Sequence, residues 1–153
     1  DRPTALGEFL THFTSRGLAR LQFPGAQPMS PVGATTPPKL LLRQTRSAIT
    51  SILKGKTPAK LPPLDLSVGT KFQQQLWRAM LHIPTGSTRT YGELARVLRR
   101  PKASRAIGQA CGANPIPIII PCHRVLANGN NLGGFSAGLD WKRKLLKSEG
   151  HSF

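Results

Sequence analysis

The stretch "IPCHRV", residues 120–125, sets a thiol beside an imidazole directly after an apolar run. Four readings of Cys122 are open: core filler, half of a disulfide, a metal ligand, or a nucleophile. Two cysteines, Cys111 and Cys122, are too few for a disulfide scaffold and lack the spacing of a zinc site, so no metal is expected. An apolar setting raises a thiol's pKa, which favours the inert reading of Cys122 taken alone. His123 adds a base. In an extended backbone, however, neighbouring side chains point to opposite faces, so contact between the two needs a local turn or a bridging water. Glu149 is one of only six acids and is followed by Gly150 and His151. A carboxylate on the imidazole would orient it and raise its basicity, the logic of nucleophile, base and orienter.

Several elements have to position these groups. "GEFLTHFT" and "GLARLQFP" carry nearly alternating apolar residues around Ser15, Arg16 and Gly17, which predicts a β-hairpin. "PGAQPMSPVGATTPP" reads as loop. Leu41, Leu42, Ile49, Ile52 and Leu53 predict an amphipathic helix from Lys39 to about Lys54, ended by Gly55 and Pro58. "KTPAKLPPLDLSVG" reads as a linker holding a domain boundary, with units at 1–66 and 67–153. Phe72, Leu76, Ala79, Met80 and Ile83 then form a helical stripe that stops at Pro84.

"TYGE", residues 90–93, is a capping box, followed by Tyr91, Leu94, Ala95 and Leu98 at helical spacing. Beyond Pro101 another helix places Ala103, Ala106, Ile107 and Ala110 on one face. The tight connection predicts a helix-turn-helix. Arg105, Gly108, Gln109 and Gly112 then point away from the alanine face. Glycines cost a helix about 1 kcal/mol each, and close approach of a partner to the helix would compensate. Arg89, Arg96, Arg99, Arg100, Lys102 and Arg105 face the single acid Glu93, which points to DNA contact in preference to a merely solvated helix pair. "NPIPIIIPC" predicts an apolar strand, and "HRVLANGNNLGGF" a hairpin around Asn128 and Gly129. Helices followed by that hairpin give a winged-helix order. A last helix is expected from about Gly138 to Ser148, with Gly150 as its cap.

Composition agrees with a polyanionic partner. The 153 residues carry 22 Lys+Arg against 6 Asp+Glu, a net charge of +16, which suggests nucleic acid before membrane. The first 25 residues show no apolar core with a cleavage site, and no stretch approaches a membrane span. A reducing compartment is expected: cytoplasm, or the nucleus in a eukaryote. The chain opens at Asp1 without an initiator Met, which leaves upstream residues open.

Four ordered motifs, "TYGELA", "NPIPIIIPCHRV", "GGFSAGL" and "EGH", together resemble the O6-alkylguanine-DNA alkyltransferase family over about Val68 to His151. The resemblance implies an α+β fold. A small sheet-and-helix domain of ribonuclease H-like type, abbreviated here, would precede a winged-helix domain that binds DNA and carries out the reaction. It implies single-turnover transfer of the alkyl group from O6-alkylguanine, and from O4-alkylthymine, to Cys122 after the nucleotide is flipped out. His123 would take the thiol proton through a water, and Glu149 would complete the relay. Tyr91 would hydrogen-bond the guanine ring nitrogen, Ser136 would help hold the guanine oxygen, and the Val125 carbonyl would hold its exocyclic amine. Asn114 would tie the active-site strand in place. Arg105 would enter the base stack, and the helix bearing Gly108, Gln109 and Gly112 would lie in the minor groove of double-stranded DNA. Arg89, Arg99, Arg100 and Lys102 would supply phosphate contacts. No cofactor and no membrane are implied. The chain is expected to act as a monomer, with cooperative binding along DNA left open. Cys111 is read as structural. The rival reading is a non-catalytic sensor of alkylated DNA, of the alkyltransferase-like kind in which tryptophan replaces the acceptor cysteine.

Overall fold

The computed structural model describes residues 2–3 and 9–152. Three antiparallel strands, β1 (Arg2–Pro3), β2 (Leu10–Thr14) and β3 (Gly17–Gln22), form a sheet in the order β1-β2-β3. The predicted hairpin is the β2–β3 pair, with Thr14 opposite Gly17; Gly7 and Glu8 of its first arm lie outside the described residues. Gly17 has φ of 135° and sits so close to the Pro63 carbonyl that a Cβ there would lie 2.3 Å from the oxygen. That closeness has a purpose. Leu18 donates to Pro63 and Asp65 donates back to Leu18, so the segment read as linker runs alongside β3 instead of hanging free.

Helix α1 (Lys39–Leu53) buries Thr45, Ala48, Ile49 and Ile52, the face predicted by its apolar spacing. Gly55 ends it and packs on the Ser148 carbonyl, fixing α1 against the last helix. Helix α2 (Lys71–Met80) starts with a capping box between Thr70 and Gln73 and buries Leu76, Trp77 and Met80. The short strand β4 (Arg89–Thr90) leads into α3 (Tyr91–Val97), capped by Thr90 and Glu93 as the sequence predicts. After α3 the chain turns at Arg99, held at φ 59°, and the turn closes with Arg99 donating to Arg96 and Arg100 to Ala95. A left-handed residue outside glycine is uncommon, and those two bonds are what hold it. Helix α4 (Ser104–Gly112) follows and packs on α3. Its inward face is Ile107 and Ala110. Ala106, expected on that face, is exposed.

Two expectations fail beyond α4. "NPIPIIIPC" is not a strand. Pro115, Pro117 and Pro121 remove ladder donors, and the chain coils around the Asn114 side chain, which accepts from Ile116 N–H and donates to the Ile120 carbonyl, both at 2.9 Å. Ile118 is driven to φ 74°, a strained setting for a β-branched residue that costs on the order of 1–3 kcal/mol. Of the hairpin expected around Asn128 and Gly129 only a single antiparallel bridge forms, Ala127 opposite Asn131, with Ala127 N–H donating to the Asn131 carbonyl at 2.9 Å. The chain makes a 3₁₀ turn at Cys122–Arg124, then β5 (Val125–Leu126), then a second such turn at Asn128–Asn130. β5 pairs in parallel with β4, Arg89 opposite Val125 and Thr90 opposite Leu126. Helix α5 (Leu139–Ser148) closes the chain. Gly150, at φ 94°, lets its neighbours cap the helix: Gly150 donates to Lys147 and His151 to Leu146.

One apolar core joins all of this, from Phe9 and Phe23 through Ile49, Trp77 and Ile107 to Leu145. No described helix is long and apolar enough to cross a membrane.

Candidate active site

The 3₁₀ turn at Cys122–Arg124 supplies the local turn that an extended backbone would deny. It rotates Cys122, His123 and Arg124 to different partners, all three buried. The side chains of His123 and Glu149 are both fully shielded, and His123 Nε2–H donates to Glu149 Oε2 at 2.9 Å. A carboxylate can only accept, so the proton sits on Nε2 and Nδ1 carries the lone pair. That Nδ1 is buried with no partner among the described residues. An unsatisfied buried acceptor is costly, and at a reactive centre it marks a base held ready.

Glu149 is gripped from several sides. Arg124 donates Nε to Oε1 and Nη2 to Oε2, each at 2.9 Å, and Gly86 N–H reaches Oε1 at 3.2 Å. The same guanidinium spends Nη1 on the Ile83 carbonyl. Burial alone would raise the Glu149 carboxyl, but the hydrogen bonds and charges of His123 and Arg124 outweigh it and hold the group down at about 2. Burial lowers His123 from its ordinary value, against the pull of Glu149, so the imidazole is neutral at neutral pH. Burial also pushes the Cys122 thiol up to about 11, with a hydrogen bond from Asn114 and the charge of Lys142 opposing it. A resting thiolate is therefore scarce, and a base must form it.

Cys122 lies at the floor of a cleft of about 110 Å³ lined by Tyr91, Gly108, Cys111, Val125, Phe135 and Ser136 among others. The β4–β5 pairing brings Tyr91, the first residue of α3, beside this floor. Burial raises the Tyr91 phenol above its ordinary value, so it keeps its proton and can donate it. Gly108 does not face outward as expected: a Cβ there would lie in ordinary contact with the Tyr91 ring, at 3.5 Å. Gly112 is open on its outer side, and Arg105 and Gln109 are exposed beside it on α4. Arg99, Arg100 and Lys102 are exposed around the α3–α4 turn, with Arg100 stacked over the Phe72 ring at 5.3 Å. Arg89 is half-buried and bonds the Thr88 carbonyl. Cys111 points its thiol at Met80 Sδ, 4.0 Å away, and burial pushes it up to about 12. Among the described residues no cluster of His, Cys, Asp or Glu could hold a metal ion.

Sequence reasoning missed two charged residues. Arg124 stands inside the "PCHRV" motif and was given no role. Lys142, on α5, is fully buried and donates Nζ to the carbonyls of Val125 (2.7 Å) and Gly134 (3.0 Å). An ammonium so placed, without a carboxylate, ties β5 to the cleft wall and favours any negative charge on Cys122. Its place three and four residues before Leu145 and Leu146, on the buried face of α5, was the available signal.

This mixed α/β fold, with its small sheets and five helices, is that of known DNA-alkylation repair structures. Mycobacterium tuberculosis OGT, solved in complex with DNA, superposes with a TM-score of 0.79 at 34% identity, over 97% of this chain and 89% of that one. An O6-methylguanine DNA methyltransferase from Methanococcus jannaschii gives a TM-score of 0.61 at 28% identity, over 95% and 89% of the two chains. Among curated relatives, a methylated-DNA--protein-cysteine methyltransferase of Methanosarcina acetivorans is 55% identical over 82 residues, 54% of this chain and 53% of its own. The bifunctional transcriptional activator/DNA repair enzyme Ada of Escherichia coli is 44% identical over 124 residues, 80% of this chain and 34% of its own. The chain thus spans from about a third to about half the length of these two relatives. The family profile described as 6-O-methylguanine DNA methyltransferase, DNA binding domain, matches residues 71–151. The chain belongs to this methyltransferase family.

Proposed function

We propose that the chain repairs DNA directly, moving the alkyl group of O6-alkylguanine, and of O4-alkylthymine, onto Cys122. One observation carries the reading: His123 spends Nε2 on Glu149 and keeps a buried, unpartnered Nδ1 as base for the neighbouring thiol. Through one water, Nδ1 takes the Cys122 proton. Sulfur attacks the alkyl carbon, the S–C bond forms and the C–O6 bond breaks. Tyr91 stabilises the departing guanine at its ring nitrogen. Ser136 helps hold the guanine oxygen, and the Val125 carbonyl, which has a second lone pair beyond the one Lys142 uses, receives the exocyclic amine. Asn114 keeps the coil before Cys122 in shape.

A base inside a duplex cannot reach a buried sulfur, so the nucleotide is flipped out at a cost of a few kcal/mol. Arg105 fills the vacated stack from the exposed face of α4, where open Gly112 and Gln109 meet the minor groove. Arg89, Arg99, Arg100 and Lys102 add phosphate contacts, which are independent of sequence and sensitive to salt. The chain works as a monomer in the cytoplasm, or in the nucleus of a eukaryote. Residues 1–66 are an abbreviated ribonuclease H-like unit, a reading supported by three antiparallel strands followed by a helix. Residues 67–153 are the winged-helix unit, supported by the packing of α3 on α4. A non-catalytic sensor is disfavoured by the presence of Cys122 itself. Incubation with duplex bearing labelled O6-methylguanine tests the choice: covalent label on the protein is expected, while tight binding without transfer would indicate the sensor.

A further inference from the structure

The reaction above uses no residue before 67, yet β3 and the residue that follows it reach what supports the cleft in two places. Leu21 N–H donates to the Pro115 carbonyl at 2.9 Å, next to the Asn114 that shapes the coil before Cys122. Just past β3, Phe23 meets the edge of Phe135, a cleft-wall residue, at 5.8 Å and 83°. Phe23 also packs on Trp141 at 4.9 Å and on Phe9 at 5.4 Å, and Phe9 meets Trp141 edge-on at 5.5 Å. The cluster joins the N-terminal sheet, α5 and the cleft wall.

That wall has little of its own to hold it. It runs Gly133, Gly134, Phe135, Ser136, Ala137, Gly138, with glycine at half its positions. Gly134 and Ser136 are exposed, and a Cβ on Gly134 would meet nothing within 4 Å. It is anchored by the Lys142 bond to the Gly134 carbonyl, by the Gly138 bond to the Phe135 carbonyl and by a hydrogen bond between the Gly134 backbone and the Tyr91 hydroxyl. Phe135 is its one large side chain, and Phe23 is the ring beneath it.

We propose that Phe23 is a positioning residue for the base pocket: through Phe135 it sets the distance of the Gly134–Ser136 wall from Tyr91 and Gly108, and so governs how an alkylguanine is held against Cys122. The inference rests on the alkyltransfer reading. Phe23 acts on the placing of the base and leaves the thiol, His123 and Glu149 untouched.

The test uses the full chain and two reagents. Free O6-benzylguanine requires the base pocket; iodoacetamide, followed at the Cys122 peptide, requires only the thiol and its base. Phe23→Ala is expected to slow benzylguanine reaction on the order of 10- to 100-fold, since small misplacements are costly in positioned reactions. The loss should appear as a higher half-saturating concentration, with iodoacetamide labelling unchanged. Phe23→Leu, which keeps apolar bulk and loses the ring, is expected to fall between Phe23→Ala and wild type and guards against a variant that fails to fold. Equal loss on both reagents, or no loss on benzylguanine in the folded Leu variant, would overturn the proposal and leave Phe23 an ordinary core residue. Failure of the wild-type chain to react with benzylguanine and with duplex lesion would instead overturn the underlying alkyltransfer reading.

Discussion

At the residue scale, the site resolves a conflict between burial and reactivity. Burial pushes Cys122 up to about 11 and lowers His123, so both are neutral at physiological pH and the proton must move as the bond forms. The transfer rate should therefore stay level through neutral pH, unlike a free thiol whose rate climbs with thiolate. It should fall only at a pH beneath the ordinary histidine value of 6.5, because burial delays protonation of Nδ1. Stability follows the same sign. Both His123 and Glu149 have folded pKa values below their ordinary ones, so the folded chain binds fewer protons than the unfolded chain in the acid range. The His123 contribution is present above 6.5 and lost below it. The Glu149 contribution is present above 4.5 and lost as pH falls towards about 2. Urea midpoints against pH should show the Glu149 limb in wild type and its loss in Glu149→Gln. In single-turnover assays His123→Ala and Glu149→Gln should slow transfer on the order of 100-fold, the usual cost of losing a general base. DNA affinity should hardly change. Wild-type rates in both variants would remove these residues from the mechanism.

At the scale of elements, the coil from Asn114 to Pro121 replaces a strand with a structure held by the Asn114 side chain together with backbone bonds from Ile120 to Ile116 and from Leu21 to Pro115. Asn114→Ala would leave the Ile116 N–H unpaired in the interior, at about 1–3 kcal/mol, and leave the Ile120 carbonyl with the Cys122 N–H alone. Thermal unfolding should shift down by several degrees, and transfer should slow even at temperatures where the variant is folded. An unchanged Tm would contradict the assigned hydrogen bonds. The same coil shows what the sequence could and could not disclose. The helices were legible because apolar spacing and caps such as Thr90 with Glu93 are local signals. Four isoleucines between prolines suggested a strand by composition, although contacts across the loop, those of the Asn114 side chain among them, decide the path. The hairpin around Asn128 and Gly129 shrinks to the one Ala127–Asn131 bridge for a similar reason, since β5 just before it pairs with the distant β4. Cys122, His123 and Glu149 were legible as a set. Arg124 and Lys142 were not, because a charged residue reads as surface until a buried carboxylate or carbonyl is found facing it.

Across the whole molecule, the +16 charge and the core set two separate tasks. On the proposed reading, charge around the α3–α4 turn gathers DNA without reading sequence, while the core carries the cleft wall and the coil together. On that reading Arg105 connects the tasks, because only a duplex needs a nucleotide displaced. Arg105→Ala should impair repair of duplex lesions far more than reaction with free O6-benzylguanine. Equal losses on both would place Arg105 in the support of the fold. The most direct test of the central claim is the stoichiometry of transfer. Sulfur bound to a simple alkyl group is a poor leaving group, and a thioether offers no carbonyl for water to attack. Cys111, pushed up to about 12, could at best exchange one thioether for another. With labelled lesion in excess, released guanine should therefore plateau at one per active chain, with the label on the Cys122 peptide. Continued release past that plateau would contradict the account and point to a hydrolase.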